Sequence, residues 1–196
     1  MIRSPRKRGE RPKALLLMGV SGVGKTTTGQ RLAKKLGWNF RDADDFHPPA
    51  NIAKMRAGQP LTDEDRWPWL DAIGGWLDQQ LNAGGCAIVT CSALKRIYRE
   101  RLLSDRPGAR LVFLKGSKAL IADRISRRTD HFMPPALLES QFNTLEEPRR
   151  DERAIVVDVS QSPNRVVAQI LRYVVPHMPV PGQPPRPSKR DVRPHR

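Results

Sequence analysis

The chain has 196 residues, of which 38% are hydrophobic, and its formal net charge is +15. This length suits one catalytic domain with a continuous core and argues against a multidomain protein. Nine of the fifteen net positive charges lie in residues 1–13 and 176–196, so the excess over residues 14–175 is ordinary for a domain that holds anionic ligands.

Both ends are predicted to be disordered extensions. Residues 1–13 are basic, and residues 176–196 contain seven of the 18 prolines with basic residues between them, a composition typical of flexible tails. No apolar run approaches the roughly 18 residues of a membrane span, and the basic N-terminus leads into a short apolar run instead of a signal-peptide core. Cys86 and Cys91 lack metal-ligand spacing, so we expect buried thiols in a cytoplasmic protein without membrane contact.

Short apolar runs alternate with longer amphipathic ones along residues 14–175. This alternation predicts an α/β fold, in which helices cover a parallel sheet. Gly37 is expected to end the first helix, and Thr62 is expected to cap the second, ahead of an acidic first turn. The strands are predicted at residues 14–18, 38–41, 87–91, 110–114 and 154–159, and the helices at residues 24–36, 62–81, 95–103, 118–128, 135–145 and 163–175.

The most specific motif lies between the first strand and the first helix. Residues 19–26 read GVSGVGKT and match the phosphate-loop pattern GxxxxGK(S/T). Glycines let backbone N–H groups approach phosphate oxygens, and the helix N-terminus adds positive potential. We predict that Lys25 is catalytic and reaches the β- and γ-phosphates, and that the Thr26 hydroxyl binds Mg²⁺. The predicted ATP site consists of Gly19, Val20, Ser21, Gly22, Val23, Gly24, Lys25, Thr26 and Thr27.

Three aspartates follow the second strand, where open α/β sheets bind ligands. If strand alternation continued through them, Asp42 and Asp44 would project to the same side. Asp42 is then the predicted metal-binding residue and Asp44 the predicted catalytic base for the attacking hydroxyl, while Asp45 suits a solvated turn. No aspartate follows the run at residues 87–91, and this lack of a Walker-B carboxylate favours a small-molecule kinase over a GTPase or motor ATPase.

Basic residues of the helix predicted at 118–128 are candidates for phosphate binding. Arg124, Arg127 and Arg128 are spaced three and four apart, so one helical face can direct their guanidinium groups at ATP. A solvated basic face is the alternative.

Three segments resemble the gluconokinases of the shikimate-kinase-like group of P-loop kinases. Residues 42–70, 91–99 and 131–148 read DADDFHPPANIAKMRAGQPLTDEDRWPWL, CSALKRIYR and HFMPPALLESQFNTLEEP. The resemblance implies a three-layer, nucleoside-monophosphate-kinase-like fold with five parallel strands in the order 2-3-1-4-5 and a small lid at about residues 124–134. It also implies an ATP:gluconate 6-phosphotransferase, usually dimeric, that feeds gluconate into the pentose phosphate or Entner–Doudoroff routes.

The resemblance also implies site residues by matching position. A sugar acid such as gluconate carries a carboxylate and several hydroxyls. Arg or Lys suits the carboxylate, and Asp or His suits the hydroxyls. An ion pair with Asp63 or Asp65 is the alternative for Arg66. The chain departs from the family pattern at Thr129 and Asp130 in the lid and, more mildly, at Val23. The implied substrate contacts are Asp44, His47, Lys54, Arg66, Lys95, Arg99 and His131, and the implied catalytic ATP contacts are Arg124 and Arg128.

Two other functions stay open from the sequence alone. The phosphate loop does not specify the acceptor, so a kinase of shikimate or a nucleotide fits the same motif. A nucleic-acid-associated P-loop protein recruited by its basic tails is the second alternative. The tails have almost no aromatic residues for base stacking, which weighs against it.

Overall fold

The computed structural model describes residues 11–127 and 135–175. Within these residues the strands are β1 (Ala14–Met18), β2 (Asn39–Asp42), β3 (Ala87–Thr90), β4 (Ala109–Lys115) and β5 (Ile155–Asp158). The helices are α1 (Lys25–Leu36), α2 (Pro49–Arg56), α3 (Asp63–Asn82), α4 (Arg96–Leu103), α5 (Lys118–Ser126), α6 (Pro135–Thr144) and α7 (Pro163–Val174). Short 3₁₀ turns lie at Ala43–Phe46 and Arg150–Glu152.

The strands form one parallel sheet in the order β2-β3-β1-β4-β5. The central strand β1 pairs with β3 on one side and with β4 on the other. All its residues are fully buried, as expected for a sheet with helices on both faces. The structure therefore confirms the predicted α/β class and the strand order that the resemblance implied.

Alternate residues of β1 enter two separate cores. Leu15 and Leu17 pack in a core that includes residues of α1 and α7, whereas Ala14 and Leu16 pack in a core that includes residues of α3 and α4. This division follows from the alternation of side chains along a strand. Since helices cover both faces, ligands are left with the carboxyl edge of the sheet, where the loops after the strands emerge.

Helix α2 is the main element that the sequence analysis missed. Ile52 and Met55 are exposed, and Asn51 is the one residue of the helix that is buried. The helix therefore lacks the apolar stripe that periodicity detects. The helix begins after Pro48, and Pro49 occupies its first turn, a position that suits proline. The predicted N-cap of α3 is confirmed, because the Thr62 side chain accepts a hydrogen bond from the backbone N–H of Asp65.

Folded contacts begin slightly before residue 14. Pro12 is buried, and the backbone N–H of Lys13 donates to the carbonyl of Gly108 at 2.9 Å. The carbonyl of Lys13 accepts a hydrogen bond from Ala87, also at 2.9 Å. Pro12 and Lys13 of the predicted extension thus belong to the folded part of the chain, and residues 1–10 and the proline-rich tail lie outside the described residues. No helix of the described chain is long and apolar enough to cross a membrane.

Gly29 is expected to be required where α1 packs on the sheet. A Cβ at this position would lie 2.6 Å from Cε2 of Phe40 and 3.0 Å from Cγ2 of Thr90. Gly29→Ala should therefore lower the free energy of unfolding by about 1–3 kcal/mol, as overpacking does. The measurement is urea denaturation. The control is Gly75→Ala in α3, where an added Cβ would meet no described heavy atom within 4 Å apart from its chain neighbours and its own helix backbone. No loss is expected there, and equal losses in both variants would contradict the prediction.

Candidate active site

The phosphate loop joins β1 to α1 and has a backbone shape that requires glycine. Gly19, Gly22 and Gly24 have φ angles of 140°, 82° and 97°. A Cβ on Gly19 would lie 2.7 Å from the carbonyl oxygen of Leu114, and one on Gly22 would lie 2.7 Å from Cγ1 of Ile125. At Gly24 such a Cβ would meet no described heavy atom within 4 Å apart from the residue itself and its two chain neighbours. The loop is thus closely packed at its start and open where its amides precede the helix, which suits a phosphate site.

Two side chains at the start of α1 connect the loop to its surroundings. The ammonium of Lys25 donates to the carbonyl oxygens of Gly19 and Val20 at 2.9 and 3.1 Å. The hydroxyl of Thr26 donates to Oδ2 of Asp42 at 2.7 Å. This second bond joins the phosphate loop directly to the carboxyl end of β2.

The oxygens of Thr26 and Asp42 fit a magnesium ion bound together with a nucleotide. Mg²⁺ prefers hard oxygen ligands and is usually held by one or two protein groups plus substrate phosphates and water. The described residues contain no group of three or more His, Cys, Asp or Glu side chains that could hold a metal by themselves. Thr27, the next residue of α1, is exposed, as its predicted place at the ATP site requires.

Asp44 lies in the 3₁₀ turn Ala43–Phe46 and not in a strand. The prediction that strand alternation aligns it with Asp42 was therefore wrong, because β2 ends at Asp42. The two residues still contact each other, since the backbone N–H of Asp44 donates to Oδ1 of Asp42 at 3.3 Å. Asp44 as a whole residue is exposed to solvent. Its carboxyl group is nevertheless partly desolvated by the surrounding atoms.

The pKa of the Asp44 carboxyl is raised above the usual aspartate value. Burial is the largest cause, and the charge of Asp42 adds to it, whereas His47 and Lys25 act in the opposite direction. A carboxylate with a raised pKa is a better proton acceptor than an ordinary aspartate. The environment of Asp44 is therefore suited to general-base chemistry.

His47 stacks on Trp69, with ring centroids 4.4 Å apart and an angle of 8° between the planes. Trp69 is itself fixed, because its indole N–H donates to the carbonyl of Ala43 at 2.7 Å. Burial lowers the pKa of His47, and Arg66 lowers it further against the opposing effect of Asp44. The buried Nδ1 of His47 has no hydrogen-bond partner among the described residues. A neutral imidazole with an unsatisfied nitrogen is suited to a ligand hydroxyl.

Several polar side chains meet around Asp63 at the start of α3. The ammonium of Lys95 lies 2.9 Å from each carboxylate oxygen of Asp63, and the Tyr98 hydroxyl donates to Oδ1. Nη1 of Arg66 lies 3.6 Å from Oδ1 of Asp63 and 3.4 Å from the Tyr98 hydroxyl. The hydrogen bond from Lys95, followed by that from Tyr98, lowers the pKa of Asp63. The structure therefore contains the ion pair considered as the alternative for Arg66, although this pair is long.

Lys54 connects α2 to α3. Its ammonium lies 2.6 Å from Oδ1 of Asp65, and the side-chain amide of Asn51 donates to the carbonyl of Asp65 at 2.8 Å. These contacts bring Lys54 to the same helix start as Arg66. Its predicted contact with the substrate stays a prediction.

Arg99 does not have the substrate-binding position that the resemblance implied. Its side chain is 1% exposed, and Nε and Nη2 donate to the Glu152 carboxylate at 2.6 and 2.9 Å. Nη1 donates to the carbonyl oxygens of Ala93 and Leu94 at 3.2 and 3.0 Å. The predicted substrate contact is therefore wrong, because α4 turns the guanidinium inward. Arg99 instead supports the segment before Lys95, in which Ala93 has a left-handed φ of 41°.

The predicted lid is described only at its start. Nη2 of Arg124 donates to the carbonyl of Val159 at 2.6 Å, and Ile125 of the same helix packs close to Gly22 of the phosphate loop. Helix α5 is thus adjacent to the loop, and the ATP contact of Arg124 stays a prediction. Arg128 and His131 lie outside the described residues.

Sequence reasoning gave no site role to Gln141, Tyr98 or Asp63. Tyr98 follows Lys95 by three residues, so their meeting at one helix start could have been inferred from spacing. Asp63 was considered as part of the acidic first turn and as an ion-pair partner of Arg66, but not as the residue that holds Lys95 and Tyr98. Gln141 binds Ser21, which lies 120 positions earlier, and no local pattern carries such a contact.

The fold and the site define a P-loop kinase. A family model described as Shikimate kinase matches residues 21–175. A gluconokinase from Gluconobacter oxydans (strain 621H) is 49% identical over 165 residues, which cover 84% of this chain and 93% of that protein. A thermosensitive gluconokinase from Escherichia coli (strain K12) is 41% identical over 164 residues, covering 83% and 88%.

A solved structure agrees with these relatives. The crystal structure of a gluconokinase from Sinorhizobium meliloti 1021 matches with a TM-score of 0.76 and 45% identity, covering 84% of this chain and 93% of that one. The chain therefore belongs to the shikimate kinase family and, within it, to the gluconokinases. This confirms the resemblance found in the sequence.

Removal of one partner of the buried ion pair between Arg99 and Glu152 is expected to destabilise the fold strongly. Glu152→Ala leaves the guanidinium of Arg99 buried without its counter-charge, and loss of one partner of a buried pair costs about 3–5 kcal/mol. The measurement is the free energy of unfolding in guanidinium chloride. Arg96→Met is the control, because Arg96 pairs with Glu100 and Asp151 at the surface and should matter much less. Equal losses would contradict this account of Arg99.

Proposed function

We propose that the protein transfers the γ-phosphoryl group of ATP to D-gluconate and so forms 6-phospho-D-gluconate. The observation that carries the proposal is the continuity of the polar site. Lys25 of the phosphate loop and His47 both act on the pKa of Asp44, and Arg66 acts on the pKa of His47. A phosphate-binding loop, a basic carboxylate and a cationic group therefore share one site, and the relatives named above are gluconokinases.

ATP binds through the phosphate loop in this proposal. The backbone N–H groups and the N-terminus of α1 hold the phosphates, and Lys25 moves from loop carbonyls to the β- and γ-phosphates. The Thr26 hydroxyl would hold a Mg²⁺ ion, with Asp42 orienting it, and the ion would supply positive charge to the phosphates. Arg124 and Arg128 stabilise the charge that develops during transfer.

Asp44 activates the acceptor. Its carboxylate accepts the proton of the primary hydroxyl as that oxygen attacks the γ-phosphorus in line with the leaving ADP oxygen. His47 offers its buried nitrogen to a second hydroxyl of the acceptor. The support for these roles is the raised pKa of Asp44 and its contact with Asp42.

The cationic residues at the start of α3 bind the carboxylate of the acceptor. Arg66 is the principal candidate, because a guanidinium can pair with a carboxylate through two hydrogen bonds and its present contacts, at 3.4 and 3.6 Å, are long. Lys95 adds positive charge beside it. Lys54 and His131 are proposed to complete the pocket by position in the family pattern.

We further propose that the enzyme works as a homodimer in the cytoplasm. The family resemblance supports the dimer. The two cysteines support a reducing compartment, because the half-buried Cys86 and the buried Cys91 form no disulfide.

The proposed function is tested by coupled ADP release with MgATP and a panel of gluconate, other aldonates, shikimate and nucleoside monophosphates. We expect gluconate-dependent turnover far above that with any other acceptor. Preferred turnover with shikimate or a nucleotide would keep the phosphoryl-transfer chemistry and refute gluconate as the substrate. Turnover with none of them would refute the proposed function.

Asp44→Asn should nearly abolish turnover, because an amide cannot accept the hydroxyl proton. A general base contributes about 10²–10⁴-fold to kcat, and a loss in that range is expected while ATP affinity is retained. The measurements are kcat and the dissociation constant of an ATP analogue. Asp45→Asn is the matched control, since Asp45 is an exposed neighbour in the same turn and should behave as wild type. A near wild-type kcat for Asp44→Asn would remove Asp44 as the base.

Arg66→Met should weaken gluconate binding selectively. Loss of a charged pair with a carboxylate should raise the KM for gluconate about 10–100-fold, with the KM for ATP little changed. Steady-state kinetics with each substrate varied in turn make the comparison. Arg31→Met is the control, because Arg31 binds Asn164 at the surface between α1 and α7. If both KM values rose together, Arg66 would have a structural role instead.

A further inference from the structure

Gln141 of α6 binds the phosphate loop at two points. Its Oε1 accepts a hydrogen bond from the backbone N–H of Ser21 at 2.7 Å, and its Nε2 donates to the hydroxyl of Ser21 at 2.9 Å. Both bonds are partly buried. A single amide thus holds both the backbone and the side chain of one loop residue.

The chemistry of the groups determines the direction of each bond. A backbone N–H can only donate, so the carbonyl oxygen of the Gln141 amide must face it and the NH₂ group must face the Ser21 hydroxyl. The hydroxyl oxygen therefore accepts from Gln141, and its own proton is left to donate to another acceptor. An oxygen of a phosphate is such an acceptor.

Ser21 lies in the part of the loop that serves the terminal phosphates. The ammonium of Lys25 contacts the carbonyls of Gly19 and Val20, the two residues that precede Ser21. In this motif the lysine reaches the β- and γ-phosphates, and the backbone N–H groups of the loop cradle the α- and β-phosphates. Ser21 thus follows directly the two residues that hold the lysine for the β- and γ-phosphates, and its hydroxyl is a candidate contact for the terminal phosphate.

Helix α6 is firmly anchored around Gln141. Leu138 is 4% exposed, and Phe142 packs against the same core. Beyond the helix, the backbone N–H of Glu146 donates to the carbonyl of Leu94 at 2.9 Å, and its carboxylate accepts from the backbone of Arg96 at 2.6 Å. The amide of Gln141 is thus presented from a helix that is packed against the core and hydrogen-bonded beyond its end, which suits a positioning role.

We propose that Gln141 is a positioning residue that prepares Ser21 for the γ-phosphate of ATP. Through the two bonds it sets the direction of the Ser21 N–H and leaves the hydroxyl proton for the phosphate. Gln141 therefore distinguishes ATP from ADP without contributing to the acceptor pocket. The inference rests on the proposed function only in taking ATP as the phosphoryl donor.

The test uses Gln141→Leu, Ser21→Ala and the double variant of the full chain. Calorimetric titration measures the affinity for ADP and for a non-hydrolysable ATP analogue, each with Mg²⁺ and without an acceptor. Gln141→Leu should weaken the ATP analogue about tenfold, the value of one or two hydrogen bonds near a charged group, and leave ADP within about twofold. Ser21→Ala should also weaken the ATP analogue more than ADP. The double variant should bind the ATP analogue only slightly more weakly than either single variant, because both changes remove the same interaction.

A structural role for Gln141 predicts a different result. In that case Gln141→Leu weakens ADP and the ATP analogue equally, or lowers Tm with nucleotide affinities unchanged, and either result overturns the proposal. The exposed Gln79→Leu of α3 is the matched control and should change neither affinity. If Gln141→Leu does not fold, the test rests on Ser21→Ala. A ratio of ADP affinity to ATP-analogue affinity equal to that of wild type in this variant refutes the proposal.

The titrations also keep this inference separate from the proposed function. They contain no acceptor, so an enzyme that fails to phosphorylate gluconate still reports whether Gln141 favours ATP over ADP. Conversely, gluconate turnover by the wild type together with unchanged nucleotide selectivity in the variants would sustain the proposed function and reject the role of Gln141.

Discussion

Strand β1 is buried on both faces, and its hydrogen bonds to β3 and β4 set the level at which the phosphate loop leaves the sheet. Parallel pairing brings the carboxyl ends of β2 and β3 to the same edge, so the residues after those strands reach the loop without a separate connector. The hydrogen bond between Thr26 and Asp42 and the one from Gly19 N–H to the Ser92 carbonyl, at 3.3 Å, are the result. The register of the sheet therefore determines the relative positions of the residues in the site.

The strands, the phosphate loop and the cap of α3 could be predicted because their signals are local. A buried strand needs a continuous apolar run, a phosphate loop needs glycines at fixed spacing, and Thr62 precedes three acidic residues that favour a helix start. Asp44 shows where this reasoning fails, since two residues of 3₁₀ turn replace the strand on which the alternation argument depended. Arg99 shows where inference from the family resemblance fails. A matching position in the sequence does not reveal whether the side chain points to the pocket or into the protein.

The acidic start of α3 has two functions in the structure. Asp65 forms a capping box with Thr62 and also holds Lys54, while Asp63 holds Lys95 and Arg66. The cations of the proposed carboxylate site are therefore ordered by protein carboxylates, which reduces the entropy lost when an acceptor binds. The carboxylate of an acceptor must in turn compete with Asp63 and Asp65 for the same cations. The acidic start of α3 therefore orders the site but also lowers its affinity for the acceptor.

The left-handed backbone at Ala93 limits which amino-acid substitutions this position can accept. A β-branched or bulky side chain at a φ of 41° would add to a strain of about 1–3 kcal/mol, whereas glycine or asparagine adopts this conformation readily. The position is also 3% exposed, which leaves room for little more than a methyl group. Few substitutions of Ala93 are therefore neutral, and the segment that presents Lys95 is constrained both by this residue and by its supports, Arg99 and Glu152.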